Sequence, residues 1–168
     1  LSALEYEGRR ENGQIGKGAR NTWIKPLVLL ALETAMRRGE LLALDWRHVD
    51  LKSQTAFLPL TKNGDSRTVP LSSNAIAILR ALPRALSGQV FPVTPNALKH
   101  AWTRACASAK ITDLHFHDLR HEATTRIAEK LPNLIELARV TGHKDVKMLA
   151  RYYHPKAEVL AKKLGETT

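Results

Sequence analysis

Cysteine is almost absent. Cys106 is the only one in 168 residues, so no intramolecular disulfide is possible and cysteine-rich zinc sites are excluded. The same scarcity fits a reducing compartment, and a cytoplasmic location is expected. No apolar run approaches the roughly 20 residues that cross a bilayer, no signal peptide opens the chain, and no polybasic amphipathic block sits beside a hydrophobic anchor. The chain also lacks a P-loop pattern and an evident carboxylate cluster for metal. It opens on Leu1 rather than methionine, which reads as a fragment or a trimmed chain. Acidic residues are in deficit, with Asp plus Glu at 16 against Lys plus Arg at 26, a formal net charge of +10. The basic residues run from Arg9 to Lys163 rather than forming one tail. A distributed excess of this kind suits a protein that wraps a polyanion, most often nucleic acid. A merely solvated basic surface is the bland alternative.

The length suits one domain with a proper core. Residues 1–21 start helix-like and turn Gly- and Arg-rich, a partly flexible lead-in. TWIKPLVLLALETAM then reads as a buried helix with Pro26 in its first turn. ELLAL after Gly39 reads as a short second helix ending near Leu44. Between 46 and 71, Val49, Thr55, Phe57 and Val69, with a turn signal at Asn63-Gly64, point to a small antiparallel sheet with a hairpin. Pro59 and Pro70 belong at its edges or strand ends. Helices return in NAIAILRAL, PNALKHAWTRACASA, DLRHEATTRIAEKL, NLIELARVTG, DVKMLARYY and KAEVLAKKL. There is no internal repeat. The expected class is α+β, mainly helical with one three-stranded sheet, in a single domain over 1–168 with a tail helix within 156–168.

The densest chemistry lies in HFHDLRHE. His117 and Arg120 are three apart and share a helix face, so an imidazole and a guanidinium can grip one phosphate. A plain helix N-terminus with Asp118 in the first turn explains the same spacing equally well. His117 and His121, four apart, suit a metal pair, but no HExxH pattern or third ligand accompanies them. Arg37 and Arg38 fall where an apolar helix ends, and satisfying C-terminal carbonyls is their default role. Glu40, three residues after Arg37, is close enough to brace a guanidinium. Lys62, just before the Asn63-Gly64 turn, is either solvated or a flexible ammonium that swings over a phosphate. His143 follows Gly142 at a helix boundary, and Tyr152 and Tyr153 come after it.

Taken together, TAMRRGELLAL, TKNGDSRTVPL, HDLRH, and TGH followed nine residues later by a tyrosine resemble the catalytic domain of the tyrosine recombinases, also called the phage integrase family. The resemblance spans roughly residues 22–160 in matching order and spacing. It implies site-specific recombination of double-stranded DNA. A tyrosine attacks a phosphodiester, leaving a covalent 3′-phosphotyrosine and a free 5′-hydroxyl, and a 5′-hydroxyl then rejoins the strand without ATP, metal or other cofactor. It further implies Arg37 and Arg120 as charge stabilisers, Lys62 as general acid, His117 assisting proton transfer from the tyrosine and His143 bonding a nonbridging oxygen. Glu40 positions its neighbours and Tyr152 is the nucleophile. A free tyrosine, with a pKa of about 10, needs such a cationic setting to attack. Ala35 stands where the family often has glycine, and its small size predicts little effect. Arg38 is the rival of Arg37, and Arg67 that of Lys62. The family's N-terminal DNA-clamping domain is absent here, so weak, salt-sensitive DNA binding is expected. So is a monomer in isolation and a homotetramer on DNA for the full-length protein.

For the paired tyrosines, a continuous helix would align Val146, Leu149, Ala150 and Tyr153 in a buried stripe. Tyr153 would then pack while Tyr152 points elsewhere. The family spacing selects Tyr152 as well. Three rival readings remain: a non-catalytic or decayed helical DNA-binding module, a topoisomerase-like cleaving and resealing enzyme, and a metal-dependent hydrolase built on His117 and His121.

Overall fold

A computed structural model describes Leu4 and residues 21–59, 66–153 and 157–165 of the chain. The flexible lead-in expected over 1–21 falls almost wholly outside those residues. So do Lys62 and the Asn63-Gly64 turn. The fold is mainly helical with one small sheet, as the composition of the segments predicts.

Helix α1 (Ile24–Thr34) is the spine. Ile24, Leu27, Val28, Leu30 and Ala31 fall on its buried side at helical spacing. It packs against α3 (Ser73–Ala81) and α5 (Asp118–Lys130). The apolar run does not carry it to Met36. Ala35 adopts a left-handed backbone (φ 52°, ψ 22°) and its N–H bonds to the carbonyl of Ala31, ending the helix one turn before the arginines. Arg37 therefore does not sit at a helix C-terminus, as the sequence suggests. It is the N-cap of α2 (Arg38–Leu42), and the Glu40 carboxylate accepts its backbone N–H.

The sheet has order β1 (Val49–Asp50), β2 (Thr55–Leu58), β3 (Arg67–Pro70), antiparallel throughout. Ala56 pairs with Val69 and Leu58 with Arg67. Ala56, Leu58 and Val69 point inward, while Phe57 faces out and meets His48 edge-on. The edge strand β3 ends at Pro70, where a missing N–H costs little. Ser72 caps α3 and Thr94 caps α4 (Pro95–Ser108), each accepting a backbone N–H three residues on.

Most buried side chains form one cluster around α1. A second, smaller one holds Ala128 of α5, Leu137 of α6 (Leu134–Thr141) and Leu149. Leu149 belongs to a 3₁₀ segment, Val146–Tyr152, instead of the α-helix that the sequence predicts. With three residues per turn the proposed stripe cannot form. Val146 and Ala150 are exposed, only Leu149 is buried, and Tyr153 lies past the end in extended backbone. The tail is helix α7 (Ala157–Gly165).

Candidate active site

The ends of α2, α5 and α6 and the 3₁₀ segment converge on one cleft of about 300 Å³, lined by Arg37, His117, Arg120, His121, His143 and Tyr152 among others. Its cations are fixed by backbone. Arg120 is buried, and its Nη1 donates to the carbonyl of Ala35 while Nη2 donates to that of Thr141 at 2.7 Å. The left-handed turn at Ala35 thus has a second effect, since it presents that carbonyl to the guanidinium. Burial, and then the charges of Arg37 and Arg67, push the Arg120 guanidinium down to about 10, so it stays charged at neutral pH.

Arg37 Nη2 donates to the carbonyl of Gly142 at 3.1 Å, and Nη1 meets Glu40 Oε1 at 3.0 Å. Glu40 Oε2 accepts the Arg37 backbone N–H at 2.8 Å and Arg67 Nη2 at 2.7 Å. Burial alone would raise the Glu40 carboxyl. The Arg67 charge and the hydrogen bonds from Arg37 and Arg67 outweigh it and hold the group below its ordinary value. Arg67 also donates to the Val140 carbonyl, and it does not line the cleft. It ties β3 to the end of α6. Its guanidinium leaves no room for a side chain at position 142, where a Cβ would lie 2.7 Å from Arg67 Nε. Gly142 has φ 70° as the C-cap of α6, so conformation and space both call for glycine there. Arg38, the rival of Arg37, is exposed.

His143 follows that glycine. Thr141 Oγ1 donates to the Leu137 carbonyl at 2.7 Å, so it accepts the Nδ1–H of His143 at 2.6 Å. Nε2 then faces the cleft, 3.4 Å from Arg120 Nη2. Burial, followed by Arg120, Arg37, Arg151 and Arg67, lowers this imidazole to about 4, so it is neutral in the empty site.

Tyr152 lines the cleft and Tyr153 is not among its lining residues. The Tyr152 ring rests on the smaller core, with the Arg151 guanidinium 5.1 Å from its centroid. Its hydroxyl lies 2.6 Å from His121 Nδ1. His117, the imidazole that sequence reasoning pairs with the tyrosine, is exposed at the N-cap of α5 and touches His121 edge-on at 5.1 Å. Sequence reasoning considered His121 only as half of a metal pair. The signal that could have found it is its place one helical turn after His117 and next to Arg120. Among the described residues no group of three or more His, Cys, Asp or Glu side chains is placed to hold a metal ion. No helix among them is long and apolar enough to cross a membrane.

The sequence profile of the phage integrase family matches residues 12–158. The shufflon-specific DNA recombinase of Escherichia coli is 49% identical over 146 residues, covering 86% of this chain and 38% of that protein. Tyrosine recombinase XerC of Xanthomonas campestris is 32% identical over 149 residues, covering 82% and 46%. Among solved structures, the catalytic domain of bacteriophage HP1 integrase superposes with a TM-score of 0.68 at 24% identity, covering 89% of this chain and 84% of that one. The chain spans less than half the length of these two curated relatives.

Proposed function

We propose, because this chain belongs to the phage integrase family, that it is the catalytic part of a tyrosine-type site-specific recombinase that cuts and rejoins double-stranded DNA. One observation carries the reading: two backbone-anchored guanidiniums, an imidazole and the Tyr152 hydroxyl line a single cleft. The attacked phosphodiester carries one negative charge, and more develops on its nonbridging oxygens at the transition state. Arg37 and Arg120 meet that charge with directed N–H bonds that need no rearrangement. A bound phosphate also adds negative charge beside His143. That draws a proton onto Nε2, which then donates to a nonbridging oxygen. Tyr152 is the nucleophile, and its attack leaves a 3′-phosphotyrosine. The leaving 5′ oxygen is strongly basic, and Lys62, matched through the family motif, is its general acid. His117, which touches His121 edge-on, assists proton transfer from the tyrosine, and Glu40 holds Arg37 in place. No metal and no nucleotide enters these steps.

The net charge of +10 supports DNA as the polyanion, and the relative named a DNA recombinase supports the reaction class. The full-length protein works as a homotetramer on DNA in the cytoplasm, and this part alone is a monomer. The test is covalent trapping by the full-length protein on nicked DNA that prevents rejoining. An adduct resistant to denaturation is expected from the parent protein and from Tyr153→Phe, and none from Tyr152→Phe. An adduct in Tyr152→Phe would reject the assignment. Relaxation of supercoils without any target site would favour a topoisomerase instead.

A further inference from the structure

The phenolic proton of Tyr152 has to leave before or during attack, and the family motif points to His117 for that transfer. The nearest base is not His117. His121 Nδ1 lies 2.6 Å from the Tyr152 hydroxyl, and the two rings are near parallel, 25° apart with centroids at 6.4 Å. A separation that short holds one shared proton between the two atoms, within the reach that a general base needs. His121 stands on the first turns of α5, the helix that also carries Arg120. The acceptor and the phosphate-binding guanidinium are therefore mounted on one rigid element, and the tyrosine alone comes from the 3₁₀ segment. His117, one turn earlier, is exposed and faces the His121 ring by its edge.

We propose that His121 is a catalytic residue that takes the proton of Tyr152 during strand cleavage and returns it during rejoining. This rests on the recombinase reading above. In cleavage the Oη–P bond forms and the P–O5′ bond breaks. The phenolic proton moves to His121 Nδ1, and the departing 5′ oxygen takes a proton from the Lys62 ammonium. In rejoining the incoming 5′-hydroxyl gives its proton back to Lys62. Its oxygen bonds to phosphorus, the Oη–P bond breaks, and His121 reprotonates the phenolate. Protons balance over the cycle and no redox partner is involved.

The experiment is single-turnover adduct formation by the full-length protein on nicked DNA. His121→Ala is expected to slow adduct formation by about 10²- to 10⁴-fold with DNA affinity unchanged, and added imidazole should restore part of the rate. Restoration by a free base is something a purely structural histidine would not show. His121→Asn places an amide near the position of Nδ1, keeping a hydrogen bond to the tyrosine without a site that takes a proton, and it should be comparably slow. If circular dichroism shows that the alanine variant is disturbed, the asparagine variant decides. An asparagine variant within about threefold of the parent, or a folded alanine variant that imidazole does not restore, overturns the role of His121. A parent protein that forms no adduct, or an adduct that survives Tyr152→Phe, overturns the recombinase reading instead.

Discussion

Replacing Glu40 with alanine would remove the one anion between two guanidiniums. The Glu40 side chain is 5% exposed, against 25% for Arg37 and 10% for Arg67. Its carboxylate accepts from both side chains and from the Arg37 backbone N–H. Removing one partner of a buried ion pair typically costs about 3–5 kcal/mol, because the other charge stays in a poorly solvated place. Arg37 can turn its charge to water in the cleft and Arg67 cannot, which places the loss near the lower end, about 3 kcal/mol. For a domain of this size that is a fall in Tm of roughly 6–12 °C. Urea unfolding followed by far-UV circular dichroism measures it, with an unchanged m-value showing that only stability has moved. Glu40→Gln keeps the shape and should lose less. The parent protein should show an acid limb that Glu40→Gln lacks. The folded carboxyl titrates below its ordinary value of 4.5, so its contribution is present above that value and is lost as pH falls through the folded pKa. A loss below about 1 kcal/mol for Glu40→Ala would mean that the triad is a solvated surface pair, and the reasoning about Arg67 would fall with it.

Other expectations are simpler. Gly142→Ala meets both a φ of 70° and the Arg67 side chain, and should cost about 3 kcal/mol. Gly39→Ala, where a Cβ meets nothing within 4 Å, should be neutral or slightly stabilising, and parallel urea titrations compare the two. Ala35→Gly should stay within about 0.5 kcal/mol of the parent, since relief of the left-handed strain offsets a lost buried methyl and a freer unfolded chain. Ala35→Val should lose more than about 2 kcal/mol, because branched residues are outliers there. His143 should titrate near 4 in an NMR experiment on the free protein. Between its ordinary 6.5 and about 4 the unfolded chain binds the proton first, so stability should decline over that window as pH falls and level off below it. A midpoint near 6.5 would contradict its placement. DNA affinity should fall steeply with added salt, and a titration showing no slope would speak against a phosphate-binding role.

The helices and the sheet were legible because their apolar spacing is strong and because α1 and β2 bury one side each. The site was legible only as a set of motifs in order, and the structure adjusts what individual residues do within it. No glycine or proline stands at Ala35 or beside it in TAMRRGELLAL to break the helix there. The break comes from tertiary demand, since Arg120 needs that carbonyl. Arg37 consequently changes from a helix end to an N-cap. The stripe through Tyr153 assumed 100° per residue, and the 3₁₀ geometry removed its premise. Alanine at position 35 was judged by size, whereas its backbone angle is what glycine would serve. His121 was hidden because side-chain reach between α5 and a segment thirty residues later is not written in local spacing.

Leu149 is the only buried residue of the segment that carries Tyr152, the proposed nucleophile. Detaching that segment exposes Leu149, lifts the half-buried Tyr152 ring off the smaller core and breaks its bond to His121, at a cost of about 4–5 kcal/mol, a local opening short of unfolding the whole. Arg37, Arg120 and His143 hang on other elements and are untouched by such an opening. On the reading proposed above, about one molecule in a few thousand would then hold Arg37, Arg120 and His143 in place with Tyr152 withdrawn. If the proposed function holds, receptor and blade are separately mounted, and a DNA backbone can be gripped without commitment to cutting it.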